Sequence, residues 1–409
     1  MTIMISSQSD RPTYRWYVLA LAALTHTFAV AIPSMCMPVL FKEISDELGL
    51  SLVQIGVVWG LAALPGIVTG LAGGSIGDRF GAKRTLVVVC LLSGVTGALR
   101  GLSDGFISLA ATIFLAGFLF PTIPMNVHKI CSTWFSGRQL GLANGVVSTG
   151  MALGFMITSI LSATVLSPLL GGWRNVLFFY GVISMTLSIP WALTRAGPSD
   201  PKMPKDDDSR PSFRQSASHL IGIRNLWFLG LAIFGVSGCV QGVLGYLPLY
   251  LRGLGWTGAS ADGTLGAFHA VSMVFAIPIA MLSDKLGTRR KVLIIATLMI
   301  IIGSGLLSFV EGGLIWLSVL IAGIVRDGFM AIFMTMIIET KGVGAKFTGT
   351  AMGLVMIFSR LGSLLSPAAG NSLADINLSL PFLFWAGLAV VGLIGFCFTR
   401  EGEKVSVSK

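Results

Sequence analysis

Three charged side chains stand inside apolar runs that are otherwise free of charge. Arg326 and Asp327 interrupt Ile-Val-Arg-Asp-Gly-Phe, and Arg360 interrupts Ile-Phe-Ser-Arg-Leu-Gly. A guanidinium presents planar, paired donors that match a carboxylate, so these positions suit the recognition of an anion. Asp327 could instead pair with Arg360 and tie the two segments together. Two positive charges against one negative leave an arginine over after any such pairing. That favours a small carboxylate ligand contacted by Arg326 or Arg360. Asp327 is also the deep carboxylate able to carry a proton, and His26 is the other titratable group suited to it. Softer polar groups occur at His26, Asn126, His128 and Gln241, where bonds to a ligand compete with bonds to a neighbouring helix. His269 reads as a bond of the second kind, and Lys129 as a side chain reaching from a segment end to water.

The elements that must position these groups are apolar helices. Only 11% of the 409 residues are charged and 54% are hydrophobic. Apolar runs of at least 18 residues recur along the chain, each able to cross ~30 Å of hydrocarbon as a helix. The short alternating segments of a β-barrel are not seen. Spans are expected near 16–41, 53–76, 84–103, 105–130, 140–167 and 174–194, then near 226–250, 261–283, 291–310, 313–339, 348–371 and 378–399. A charge at the bilayer centre costs ~3 kcal/mol, so three exposed to lipid would cost about 9 kcal/mol. Arg326, Asp327 and Arg360 must therefore face the bundle interior, water or one another.

The net charge of +10 orients the chain and need not bind nucleic acid. Of the 28 Lys and Arg, 22 fall on the side that holds both termini, and four (Lys42, Arg100, Arg174 and Arg252) belong to the other side. The positive-inside rule makes both termini cytoplasmic, which demands an even number of spans. The protein is expected in a cell membrane, plasma or bacterial inner, as a multi-pass monomer in the lipid bilayer. The N-terminal apolar stretch is too long for a cleaved signal sequence, so none is expected. Cys36, Cys90, Cys131, Cys239 and Cys397 show neither metal spacing nor a disulfide pattern and read as small buried hydrophobes. No metal and no cofactor is expected.

The stretch Arg195 to Asn225 is the one long polar segment, with the composition of a mobile linker. It divides the chain into six spans (1–194), a linker (195–225) and six spans (226–409). The halves repeat each other. Gly74-Ser-Ile-Gly-Asp78-Arg79-Phe-Gly81-Ala-Lys83-Arg84 follows span two, and Ala280-Met-Leu-Ser-Asp284-Lys285-Leu-Gly287-Thr-Arg289-Arg290 follows span eight, 206 residues later. Gly141, Gly145 and Gly154 of span five recur as Gly349, Gly353 and Gly362 of span eleven, 208 residues later. Two motifs at nearly equal offsets mark an internal duplication.

The first motif resembles the loop signature of the major facilitator superfamily, roughly G-x-x-x-D-R-x-G-x-K-R, and its weaker copy lies where that family's second half has one. The resemblance covers the whole chain. It implies an all-α membrane protein with twelve transmembrane helices in two pseudo-symmetric six-helix bundles. These rock about a central site, with spans 1, 4, 7 and 10 lining a cavity and spans 2, 5, 8 and 11 forming the moving interface. Spans 3, 6, 9 and 12 support from the lipid side. In that frame Gly74, Asp78, Arg79, Gly81, Arg84, Asp284 and Arg289 form a conformational latch rather than a ligand site, because topology alone needs neither the aspartates nor the glycines.

Uptake of a small organic anion, driven by a proton or sodium gradient, is the leading expectation. An exporter of amphipathic compounds is the alternative within the family. Span five lacks the Gly-Pro pair of drug–proton exporters, reading Gly150-Met-Ala-Leu-Gly154, and span four has Gly117-Phe-Leu-Phe-Pro121 where proton-coupled relatives carry an arginine. A membrane sensor would need a signalling module. An enzyme would need a metal or acid–base cluster, and a primary pump a phosphate-binding loop; the sequence shows none of these.

Overall fold

The computed structural model describes residues 11–195 and 213–401. Twelve long helices lie among them: α1 (Thr13–Leu48), α2 (Leu52–Thr69, its helix running on to Phe80), α3 (Ala82–Arg100), α4 (Phe106–Trp134), α5 (Gln139–Leu170) and α6 (Trp173–Leu193). The second set is α7 (Arg224–Gly253), α8 (Gly258–Leu286), α9 (Arg289–Leu306), α10 (Leu314–Ile338), α11 (Phe347–Asp375) and α12 (Leu380–Phe398). Eleven of these are long and apolar enough to cross a membrane. The exception is α9, whose 18 residues open with Arg289, Arg290 and Lys291, so its apolar part is shorter than the others. With an even number of helices, the described chain enters and leaves at one end, called here the terminal end.

The duplication reappears in the helix boundaries. Ser51 caps α2 by accepting from the Gln54 N–H at 3.2 Å, while Gln54 Oε1 accepts from the Ser51 N–H at 2.9 Å. Its counterpart 206 residues on, Thr257, caps α8 by accepting from the Ser260 N–H at 3.3 Å. The turns that end these helices use Gly81 (φ 86°) and Gly287 (φ 64°), a left-handed geometry that favours glycine. These are the repeated motif glycines. Local chemistry thus repeats where the sequence does.

The halves touch through equivalent pairs, α2 against α11 and α5 against α8. Gly56 lies against the Pro367 and Ala368 backbone, and Gly60 against Leu364. Trp59 Nε1 donates to the Gln241 carbonyl at 2.7 Å, and Asn371 Nδ2 to the Leu52 carbonyl at 2.8 Å. On the other pair Thr164 Oγ1 donates to Asp262 Oδ2 at 2.9 Å, and Arg252 Nη2 bonds the same oxygen at 2.7 Å. All of these contacts lie toward the end remote from the termini. Toward the terminal end Gly141, Gly145 and Gly349 of the same interface helices have open space before them. One end is closed and the other is parted.

Residues 196–212 of the expected linker lie outside the described residues. Its last part is ordered: Phe213–Ile221 is a helix with Leu220 fully buried, and His219 stacks on Phe347 of α11 at 4.7 Å between ring centres. His219 Nε2 also lies 2.9 Å from the Gly342 carbonyl oxygen, so this part of the segment packs against the second half.

Gly60 has backbone directly against it, so a larger side chain would force α2 and α11 apart. In Gly60→Val, spin labels at Asp46 and Asn377, on a Cys397→Ser background, should show a new population at longer distance by double electron–electron resonance. An unchanged distribution would mean that this contact does not hold the closed end.

Candidate functional site

A cavity of about 390 Å³ lies between the halves. Spans 1, 4, 7 and 10 contribute most of its wall, through residues such as Met35, Phe120, Ser237, Gln241 and Phe329. Its surface is mainly apolar and aromatic, with few polar groups, the usual character of a small-molecule site. Those few are strongly biased. Arg100, Arg326 and Arg360 all line it.

Arg326 Nη1 bonds Asp327 Oδ1 at 2.5 Å, and the Asp327 N–H donates to Ser272 Oγ on α8 at 3.1 Å. The guanidinium carbon of Arg326 also lies 5.5 Å from the Phe155 ring centre, across the cavity on α5. Asp327 thus pairs with its own neighbour and not with Arg360, as the tie between α10 and α11 would have required. Adjacent helical residues diverge at Cβ, but the long arginine side chain folds back far enough to meet the short carboxylate. Arg360 makes no ion pair among the described residues; it packs beside Gly66 of α2, and its residue remains partly accessible. Asp327 is bonded to Arg326.

Arg100 ends α3, inside the expected span 84–103, and through it α3 reaches the cavity wall instead of only supporting from the lipid side. Its residue is 2% exposed, and Nη1 donates to the Pro33 carbonyl of α1 at 2.8 Å. Ile300 of α9 also reaches the cavity wall. An arginine after an apolar run looks like a membrane-surface residue in sequence. Here the end of the helix is tucked against α1, so the side chain points back into protein.

Of the softer groups, Gln241 lines the cavity. His26, Asn126 and His128 are not among the residues that line it; His26 and His128 meet within the first six helices, and Asn126 packs elsewhere in them. The His26 and His128 rings are edge to face at 5.4 Å, and His128 Nδ1 lies 2.9 Å from Asn144 Oδ1 of α5. His26 is buried and neither ring nitrogen has a partner. It opens a π-helical turn, His26–Ala31, a local widening that often accompanies functional positions. Asn126 Nδ2 donates to the Thr122 carbonyl at 2.8 Å and the side chain packs onto Gly77. His269 lies between Phe155 and Phe268, at 5.2 and 5.4 Å between ring centres, and so bridges α8 to α5.

Of the motif residues, Asp78 and Gly74 have side-chain environments outside the described residues. Arg79 is exposed with its guanidinium carbon 5.6 Å from the Phe80 ring centre, Arg84 is exposed, and Gly81 forms the turn into α3. The second copy is engaged. Arg289 bonds Asp284 Oδ1 at 2.8 Å and Glu339 Oε2 at 2.7 Å, joining the ends of α8, α9 and α10. In the sequence Glu339 is simply a charge at the end of an apolar run. Asp262, fully buried at the closed end, was not singled out at all, since a carboxylate near a span boundary gives no sign of facing a partner helix.

The family model described as Major Facilitator Superfamily matches residues 19–343 and 264–409. The chain is 24% identical over 253 residues to the "Probable sulfoacetate transporter SauU" of Cupriavidus necator, covering 58% of this chain and 57% of that protein's length. It is 24% identical to the "Gallate transporter" of Pseudomonas putida, covering 92% and 89% of the two chains, and 22% identical to the "Cis,cis-muconate transport protein" of Acinetobacter baylyi, covering 96% of each. In fold it superposes on a bacterial homologue of the human lysosomal transporter Spinster, in an inward-facing and unoccupied conformation, with TM-score 0.73 and 17% identity over 96% of this chain and 93% of that one. The helices, their duplicated boundaries and these likenesses agree: the chain is a multi-pass membrane protein, not an enzyme, and belongs to the Major Facilitator Superfamily.

Proposed function

We propose that the protein is a secondary transporter that carries a small organic anion, a carboxylate, through the central cavity by alternating access. The observation that carries this reading is Arg360, a guanidinium on the wall of an apolar cavity with no ion pair among the described residues, while Asp327 is bonded to Arg326. A charge held in such surroundings without a counter-ion is costly, and a ligand carboxylate would supply one. Gln241 adds a polar group to the same wall. The sulfoacetate, gallate and muconate in the names of the three relatives above are organic acids and agree with this class, while the nitrate and nitrite in the name of a fourth, from Thermus thermophilus, agree only with an anion.

Alternation requires two arrangements of the same interface. The closed end and the parted end described above supply one of them, and the duplicated helix pairs supply an equivalent surface for the other. In this proposal the Arg289–Asp284–Glu339 cluster, with Asp78, Arg79, Arg84 and the motif glycines Gly74 and Gly81, is the latch that forms and breaks at the terminal end. Both termini are then cytoplasmic, by the distribution of Lys and Arg. The coupling ion is a proton or sodium. Asp327 is the site closest to the ligand, through its bond to Arg326, and His26, in contact with His128, is the second candidate coupling group.

A thermal-shift panel of mono- and dicarboxylates on the purified protein tests the ligand class. An acid at about 100 times its dissociation constant should stabilise by about 2.7 kcal/mol. That stabilisation should vanish in Arg326→Ala and Arg360→Ala. A response confined to cationic or apolar compounds would favour an exporter and return both arginines to structural roles.

The latch has its own signature. Glu339→Gln removes a partly exposed ion pair worth no more than about 1 kcal/mol, so the folded protein should lose little stability. Anion uptake into proteoliposomes should nevertheless change severalfold, because the pair is made in one conformation and broken in the other. Unaltered uptake would leave the motif as a topology signal.

A further inference from the structure

Arg100 has more binding capacity than the protein uses. Its guanidinium makes one hydrogen bond, to the Pro33 carbonyl, and lies 5.7 Å from the Phe120 ring centre. Nε and Nη2 are shielded from solvent and have no partner. Arginine remains charged in proteins, so this is a buried cation with idle donors. If its task were only to tie α3 to α1, those donors would cost stability and return nothing.

The count of charges extends the point. Arg100, Arg326 and Arg360 line one cavity, and Asp327 is the one carboxylate bonded to any of them among the described residues. The excess is two positive charges, which one carboxylate would not neutralise. The charges also stand at different places. Arg326 and Arg360 are mid-helix in α10 and α11 of the second half, whereas Arg100 ends α3 of the first half, on the side where the halves are closed. Apolar residues such as Ile113 and Phe120 share the wall with it.

Building on the anion-transport reading, we propose that the cavity is made for a dianion with its two acidic groups at opposite ends of a short carbon frame. Arg326 and Arg360 hold one group, and Arg100 takes the other. The apolar wall covers the carbon frame. Such a ligand bridges the two halves of the protein, so Arg100 sets specificity by demanding a second charge.

The test is isothermal titration calorimetry of the full chain with matched acids: adipate against hexanoate, and terephthalate against benzoate. The diacid should bind roughly tenfold more tightly than its monoacid, the gain from one further charge-assisted contact. In Arg100→Gln the ratio should fall to about one. A ratio near one in the unaltered protein, or an unchanged ratio in Arg100→Gln, would overturn the proposal while leaving monoanion transport standing. A second measurement needs no variant. Across dicarboxylates from malonate to suberate, affinity should peak at one chain length, because two fixed cations read a separation. A steady rise with carbon number would mean that only apolar burial is sensed and would overturn it. If neither acid of any pair binds, the anion-transport reading falls first.

Discussion

Guanidinium groups cannot be left in hydrocarbon, and in this protein the protein itself does not fully neutralise them. That constraint organises the rest. Twelve apolar helices could pack in many ways, but three arginines from α3, α10 and α11 must all be withdrawn from lipid. The arrangement that achieves this brings both halves around a shared cavity. Among the described residues one of the three is paired with a carboxylate, Arg326 with Asp327, so the cavity stays electropositive within low-dielectric walls. A fully apolar core would be more stable and would have no use for a ligand.

The second requirement is that the halves touch without fusing. Glycine supplies this at α2 and α11, where Gly60 meets Leu364 and Gly56 meets Pro367 backbone to backbone. Contacts of this kind are van der Waals packing with little side-chain interlock, so they can separate as a unit. The polar bonds at the same end are few: Trp59 to Gln241, Asn371 to Leu52, and the Arg252–Asp262–Thr164 group. Each closes when the surfaces meet. An interface of small residues and a handful of bonds is suited to two discrete states, as a large interdigitated one is not.

Much of this was legible in the sequence. The spans follow from run length alone, and the duplication follows from the loop motif and glycines repeated 206 and 208 residues apart; the matching caps at Ser51 and Thr257 came from the structure. Arg326 and Arg360 stood out because charge inside an apolar run is expensive. Rotation about each helix axis was not legible. A helix that is apolar all round gives no period from which to tell cavity from core, and so His26, Asn126 and His128 fell on the right helices but inside the first bundle. Depth was the other blind spot. Arg100, at the end of its run, looked like a surface residue until α3 was seen to end against Pro33. Glu339 and Asp262 were hidden for the same reason, since a charge near a span boundary is ordinary until its partner is known.

Placing the cations on both halves has a consequence for coupling between occupancy and movement. A ligand shifts a conformational equilibrium only to the extent that it binds the two states differently. With Arg100 on the first half and Arg326 and Arg360 on the second, bringing the parted surfaces together around an empty cavity would concentrate like charge in a shrinking, drying space. An anion spanning the cavity turns that repulsion into attraction between the halves. Within the transport reading, the loaded protein is therefore freer to close than the empty one. The sign of that difference is set by three side chains. Neutralising any of them would weaken binding and also relax the bar against closing empty, so affinity and tightness of coupling should change together, as two effects of one electrostatic arrangement.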